Sequence, residues 1–240
     1  MILCQPNGVL STSHRGSARI LRYKLFSEPA VNKLVVATLA AAVGLLATPS
    51  YAQAQKTASA PPSPQLKRAQ DIVSGRCSLC HGAEGESASP IFPRLAGQHP
   101  EYIAKQLADF KSGRRKGTMN DQAQELTEEE MKALGVFFAQ KKPKAYTVSD
   151  QDLAAVGRYI YHKGNSYSGV AACTSCHGPT GDGTAQLPRL AGQHAAYAES
   201  QLKEFNKRER TNDNAVMHAI ASKLTELEMR AVAVYLSGKL

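Results

Sequence analysis

Cys77-Ser78-Leu79-Cys80-His81 and Cys173-Thr174-Ser175-Cys176-His177 decide how this chain is read. Cys-x-x-Cys-His is the attachment pattern of c-type haem. Thiols three residues apart lie on one side of a helical turn. They can reach the two vinyl groups along one porphyrin edge, and the next residue can turn its imidazole onto the iron. The reading is therefore two haem c groups, with Cys77, Cys80, Cys173 and Cys176 as thioether donors and His81 and His177 as iron ligands.

Other uses of paired cysteines explain less. Structural zinc knuckles place their pairs roughly 15–20 residues apart, whereas residues 81–172 separate these two. A thioredoxin-like dithiol belongs beside a βαβ pattern, and none is visible. Disulfides suit an oxidising compartment but leave both histidines without a task.

Working outward, residues 1–52 read as address rather than fold. Arg15, Arg19, Arg22, Lys24 and Lys33 precede the apolar run 34–47 (LVVATLAAAVGLLA), and small residues around Ala52 and Ala54 offer cleavage sites. This is the layout of a secretory signal peptide, with a run short for a membrane span. An uncleaved membrane anchor is the alternative. The basic leader is long, and no Met lies between Met1 and Met119, so a later start, Val31 for instance, is expected. Cys4 falls in this leader. The expected destination is the periplasm, where haem c is attached. The stretch 53–64 (QAQKTASAPPSP) reads as a flexible tether.

The formal charge of the 240 residues is +9. Residues 53–240 keep 24 Lys and Arg against 19 Asp and Glu, a mildly basic balance. No aromatic-basic platform accompanies it, which argues against nucleic acid. The run Arg114-Arg115-Lys116 reads as a solvated face, with docking to an acidic redox partner as its functional alternative.

The chain then repeats. Residues 93–99 (PRLAGQH) return at 188–194, and Leu126-Thr127-Glu128-x-Glu130-Met131 returns as Leu224-Thr225-Glu226-x-Glu228-Met229. This is one domain duplicated, assigned to 65–144 and 145–240. The fold class is all-α. Thr127-x-x-Glu130 and Thr225-x-x-Glu228 are capping boxes opening the last helix of each copy. Pro100 suits the first turn of a helix to about Lys111, and a helix over about 65–76 leads into the first motif. Residues 162–172 have no counterpart in the first copy.

An iron that only carries electrons needs a sixth ligand, and Met raises its potential. Met131 and Met229 sit inside the last helices and read as core. Met119 and Met217 precede those helices in loop-rich stretches and are the expected ligands. His99 and His194 repeat as well, but at a helix start, where capping or packing is the expected role. His162 and His218 stand alone.

Two haem motifs, twin Pro-Arg-Leu-Ala-Gly-Gln segments and a methionine before each last helix resemble the dihaem cytochrome c4 family, over residues 65–240. The resemblance implies two class I cytochrome c domains packed about a pseudo-twofold axis. It implies that the Pro93 and Pro188 carbonyls accept the Nδ1 protons of His81 and His177, and that Arg94 and Arg189 lie near haem propionates. It implies a periplasmic or membrane-attached electron carrier, not an enzyme. Its donor would be a quinol-cytochrome c oxidoreductase and its acceptor a terminal oxidase. The rival reading is the dihaem subunit of a redox enzyme, such as a flavocytochrome c sulfide dehydrogenase.

Overall fold

The computed structural model describes residues 63–238. The signal-peptide reading of 1–52 and residues 53–62 of the tether lie outside the described residues.

Among the described residues there are ten α-helices, five from each copy. The first five are α1 (Ser63–Ile72), α2 (Ser78–His81), α3 (Pro100–Lys111), α4 (Met119–Ala123) and α5 (Glu128–Ala139). The second five are α6 (Gln151–Lys163), α7 (Thr174–His177), α8 (Ala195–Asn206), α9 (Val216–Ala221) and α10 (Glu226–Leu236). Among the described residues extended pairing is limited to one bridge between Asn165 and Val170. The duplicated all-helical fold read from sequence is the fold observed.

Local chemistry sets the ends. Thr127 accepts from the Glu130 N–H while the Glu130 carboxylate accepts from the Thr127 N–H, and Thr225 and Glu228 repeat this box. Pro100 occupies the first turn of α3, where its missing N–H costs nothing. Asp150 caps α6 by accepting from the Leu153 N–H. The first helix leads into the motif as expected, but it does so through a π-helical turn, Val73–Cys77, that joins it to α2. The extra residue of a π turn rotates the downstream helical turn about the axis, which re-aims the haem motif relative to the apolar stripe of α1.

Each last helix lies across two earlier ones: α5 on α1 and α3, α10 on α6 and α8. The approach is close enough to demand glycine. A Cβ on Gly135 would sit 2.3 Å from the Pro100 carbonyl oxygen, and one on Gly157 2.0 Å from that of Ala231. Two separate apolar cores result. One holds Ile103, Leu107, Leu134 and Phe138; the other holds Ile160, Tyr161, Met229 and Val232.

Candidate haem sites

Each attachment motif closes one helical turn. α2 and α7 both end at a glycine with positive φ, Gly82 at 74° and Gly178 at 77°, a conformation glycine adopts without strain. The second motif lacks the long helical approach of the first. It comes after a short hairpin in which Asn165 and Val170 exchange both backbone hydrogen bonds at 2.9 Å. Cys77 and Cys173 are half-buried, Cys80 and Cys176 exposed, and among the described residues no disulfide joins any of the four. Burial pushes the Cys77 thiol up, and takes that of Cys173 to about 11.

His81 and His177 are buried. The His81 Nδ1–H donates to the Pro93 carbonyl at 2.9 Å, and the His177 Nδ1–H donates to that of Pro188 at 3.3 Å. Desolvation lowers both imidazole pKa values, with the proline carbonyls opposing it. Burial thus favours the neutral ring, and the carbonyl partner places its proton on Nδ1, leaving the Nε2 lone pair available. A metal ligand needs that tautomer, and a carbonyl behind it raises its basicity.

The heptapeptides hold those carbonyls still. Leu95 and Ala96 donate their N–H groups to the Gly85 carbonyl, and the Gly97 N–H donates to that of Phe138 at the end of α5. Leu190 and Ala191 use Gly181 in the same way, and Gly192 uses Leu236. Gly97 and Gly192 make this turn at φ 67° and 74°.

Met119 opens α4, half-buried against the first core, to whose edge Cys77 also belongs. Met217 is half-buried in α9. Met131 and Met229 lie inside their cores, 3% and 1% exposed. His162 bonds the Tyr235 hydroxyl at 3.0 Å, and the His218 Nδ1–H donates to the Phe205 carbonyl at 3.0 Å.

Arg94 and Arg189 line one cleft between the two halves. The Nε atom of each is buried without a hydrogen-bond partner. Arg94 also stacks on the Tyr146 ring at 3.4 Å and faces Glu86 at 3.6 Å, while Arg189 pairs with Asp182. An orphaned buried donor is costly. A porphyrin bound through the cysteine pair of each half would carry propionate carboxylates able to satisfy such a donor, so these arginines fit haem. Among the described residues no three His, Cys, Asp or Glu side chains gather to hold a metal by themselves.

Of the two roles expected for His99 and His194, capping is not the one they take. Each stands at the N-cap position of α3 or α8 without a side-chain capping bond. Their Nε2–H groups cross between the halves instead, His99 to the Asp182 carbonyl at 2.6 Å and His194 to that of Ser87 at 2.8 Å. Gln98 and Gln193 cross as well. The sequence shows these glutamines only as part of the repeat, which carries no hint of their destination.

Two tandem helical domains, each presenting a Cys-x-x-Cys-His turn with a carbonyl-oriented histidine, define a c-type cytochrome with two haems. The family model described as Cytochrome c matches residues 66–164 and again 161–238. Cytochrome c4 of Thiocapsa roseopersicina is 42% identical over 185 residues, spanning 75% of this chain and 96% of the relative. The crystal structure of reduced recombinant cytochrome c4 from Pseudomonas stutzeri matches with a TM-score of 0.69 and 34% identity, over 73% of this chain and 98% of that one. A thiosulfate dehydrogenase electron acceptor of Stutzerimonas stutzeri strain A1501 is 38% identical over 168 residues, 68% of this chain and 78% of the relative. The chain belongs to the dihaem cytochrome c4 family. It carries two haem c groups and is an electron carrier.

Proposed function

We propose that the chain is an exported periplasmic carrier, taking electrons from a quinol-cytochrome c oxidoreductase and passing them to a terminal oxidase or similar acceptor. One observation carries the reading: the same arrangement of histidine and methionine occurs twice. In each copy a buried histidine is locked at Nδ1, and a half-buried methionine waits on a short helix before the last one. When bound, each haem iron supplies a one-electron couple. Around it, Cys77, Cys80, Cys173 and Cys176 anchor the porphyrin, and His81 and His177 ligate with fixed tautomers. Met119 and Met217 would supply soft sulfur as the second protein ligand of each iron, which favours the reduced state. Arg94 and Arg189 neutralise propionate charge. With His81 and Met119, and His177 and Met217, as ligands, each iron would be left no open position for a substrate, so the chain would carry electrons and transform nothing itself. Among the described residues no helix is long and apolar enough to cross a membrane.

A second reading makes the chain the acceptor subunit of a redox enzyme, favoured by the relative named as a thiosulfate dehydrogenase electron acceptor. Rapid mixing of the holoprotein separates the two. Fast reduction by a quinol-oxidising complex and fast oxidation by terminal-oxidase membranes support the carrier. Slow exchange with both, beside fast reduction by a thiosulfate-oxidising enzyme, overturns it in favour of the second reading.

A further inference from the structure

Arg115 and Arg210 are buried where the two halves meet, 8% and 7% exposed. The first lies between α3 and Met119, the second between α8 and Met217. Each guanidinium sits over an aromatic ring of its own half, Phe110 at 4.6 Å and Phe205 at 4.5 Å. Each then reaches into the other half. Arg115 donates to its own Gln106 at 2.7 Å, but also to the Tyr197 hydroxyl at 2.9 Å and the Gln201 amide oxygen at 2.7 Å. Arg210 donates to its own Gln201 at 2.6 Å, and across to the Tyr102 hydroxyl at 3.0 Å and the Gln106 amide oxygen at 3.2 Å.

Among the described residues neither guanidinium forms an ion pair. The nearby buried carboxylate, Asp109, is taken by Lys105, Arg114 and Asn212. Two buried like charges resting on neutral oxygens are a poor way to stabilise an interface, since apolar side chains of similar volume would do as well or better. Their value lies in what they hold. Asn120, beside Met119, donates to the carbonyls of Phe110 and Arg115 and accepts from the Gly117 N–H. Arg115 and Met119 are thus tied into one closed loop. In the second half Asp213 accepts from the N–H groups of Ala215 and Met217. Its neighbour Asn212 is bound by Arg210 Nε and crosses to Gln106, Asp109 and Lys105.

We propose that Arg115 and Arg210 are crossed positioning residues. Each fixes the loop bearing its own domain's methionine against the tyrosine and glutamine of the opposite domain. Methionine ligation of one haem then depends on the fold of the other domain, and the Met217 loop, with its added Asn212 contacts, is held more firmly. This rests on Met119 and Met217 being the sixth ligands.

The test uses Tyr197→Phe and Tyr102→Phe holoproteins, each losing one crossing hydroxyl and no apolar volume. The readouts are the methionine methyl signals of each reduced haem by NMR and the thermal loss of the oxidised methionine–iron band. Tyr197→Phe should raise the methionine-off fraction of the first haem about tenfold, the ratio carried by one hydrogen bond to a charged group. The second haem should be untouched. Tyr102→Phe should act on the second haem, by a smaller factor. An effect confined to the tyrosine's own domain, or no effect beside intact wild-type methionine signals, overturns the brace alone. A wild type lacking those signals overturns the ligand reading, and the brace with it.

Discussion

The side-chain amide of Gln98 grips the peptide groups flanking Arg189's α-carbon: Nε2 donates to the Arg189 carbonyl at 3.0 Å, and Oε1 accepts from its N–H at 2.8 Å. Gln193 treats Arg94 identically, at 3.0 Å and 2.9 Å. Each amide thereby imitates a rung of β-ladder and holds one of the two arginines whose Nε atoms are buried without a hydrogen-bond partner.

Replacing Gln98 by Leu should strand that N–H and carbonyl at a buried interface. The expected cost is about 1–3 kcal/mol. In urea, the Gln98→Leu/Gln193→Leu double variant should unfold in two resolved transitions instead of one. A single transition at the wild-type midpoint would contradict the interface described.

The methionines should divide into two kinds. Met119→Ala or Met217→Ala should each remove half of the oxidised methionine–iron charge-transfer band. Met131→Ala should leave the band whole and lower stability by about 2–5 kcal/mol, because Met131 is 3% exposed within a packed core. Absorbance spectra and denaturation of the same samples decide the matter.

Arg94→Leu should lower the potential of the first haem, and Arg189→Leu that of the second, each on the order of tens of millivolts. The sign comes from charge: removing a cation beside the propionates favours the oxidised iron. Spectropotentiometric titration reads both shifts, and a rise in either potential would contradict the placement of these arginines.

Acid should loosen the last helices. The Thr127 N–H hydrogen bond holds the Glu130 carboxyl below its usual pKa of 4.5, with burial opposing it and Arg68 assisting. A carboxyl lowered on folding contributes stability that is whole above its unfolded pKa and fades as pH falls through the folded value. Glu130→Ala, which removes that carboxylate and leaves the Thr127 side-chain cap in place, should cost about 1 kcal/mol at neutral pH. The gap between variant and wild type should narrow below the unfolded carboxyl range, as thermal denaturation against pH will show.

Much of this is legible in the chain. The capping boxes at Thr127 and Thr225 and the proline start of α3 depend on neighbours three or four residues away, so sequence displays them directly. The haem motifs are equally local. The π turn at Val73–Cys77 is not legible, because the helix after it, Ser78–His81, is too short to show the shifted phase of the apolar stripe. Nor are the partners of His99 and His194 legible. Both histidines stand where caps stand, yet Asp182 and Ser87 belong to the other half.

Arg115 makes the contrast sharpest. Within Arg114-Arg115-Lys116 it reads as one more solvated charge. Arg114 and Lys116 are exposed, while Arg115 is buried against Tyr197 and Gln201. Sequence alone determined that two helical domains would each hold a haem c, because covalent spacing, helix ends and duplication are short-range or self-comparing signals. The tertiary structure alone decided how those domains face each other and which polar side chains cross between them. Those partners lie more than eighty residues apart along the chain, and no local periodicity encodes a contact that exists only once both halves have folded.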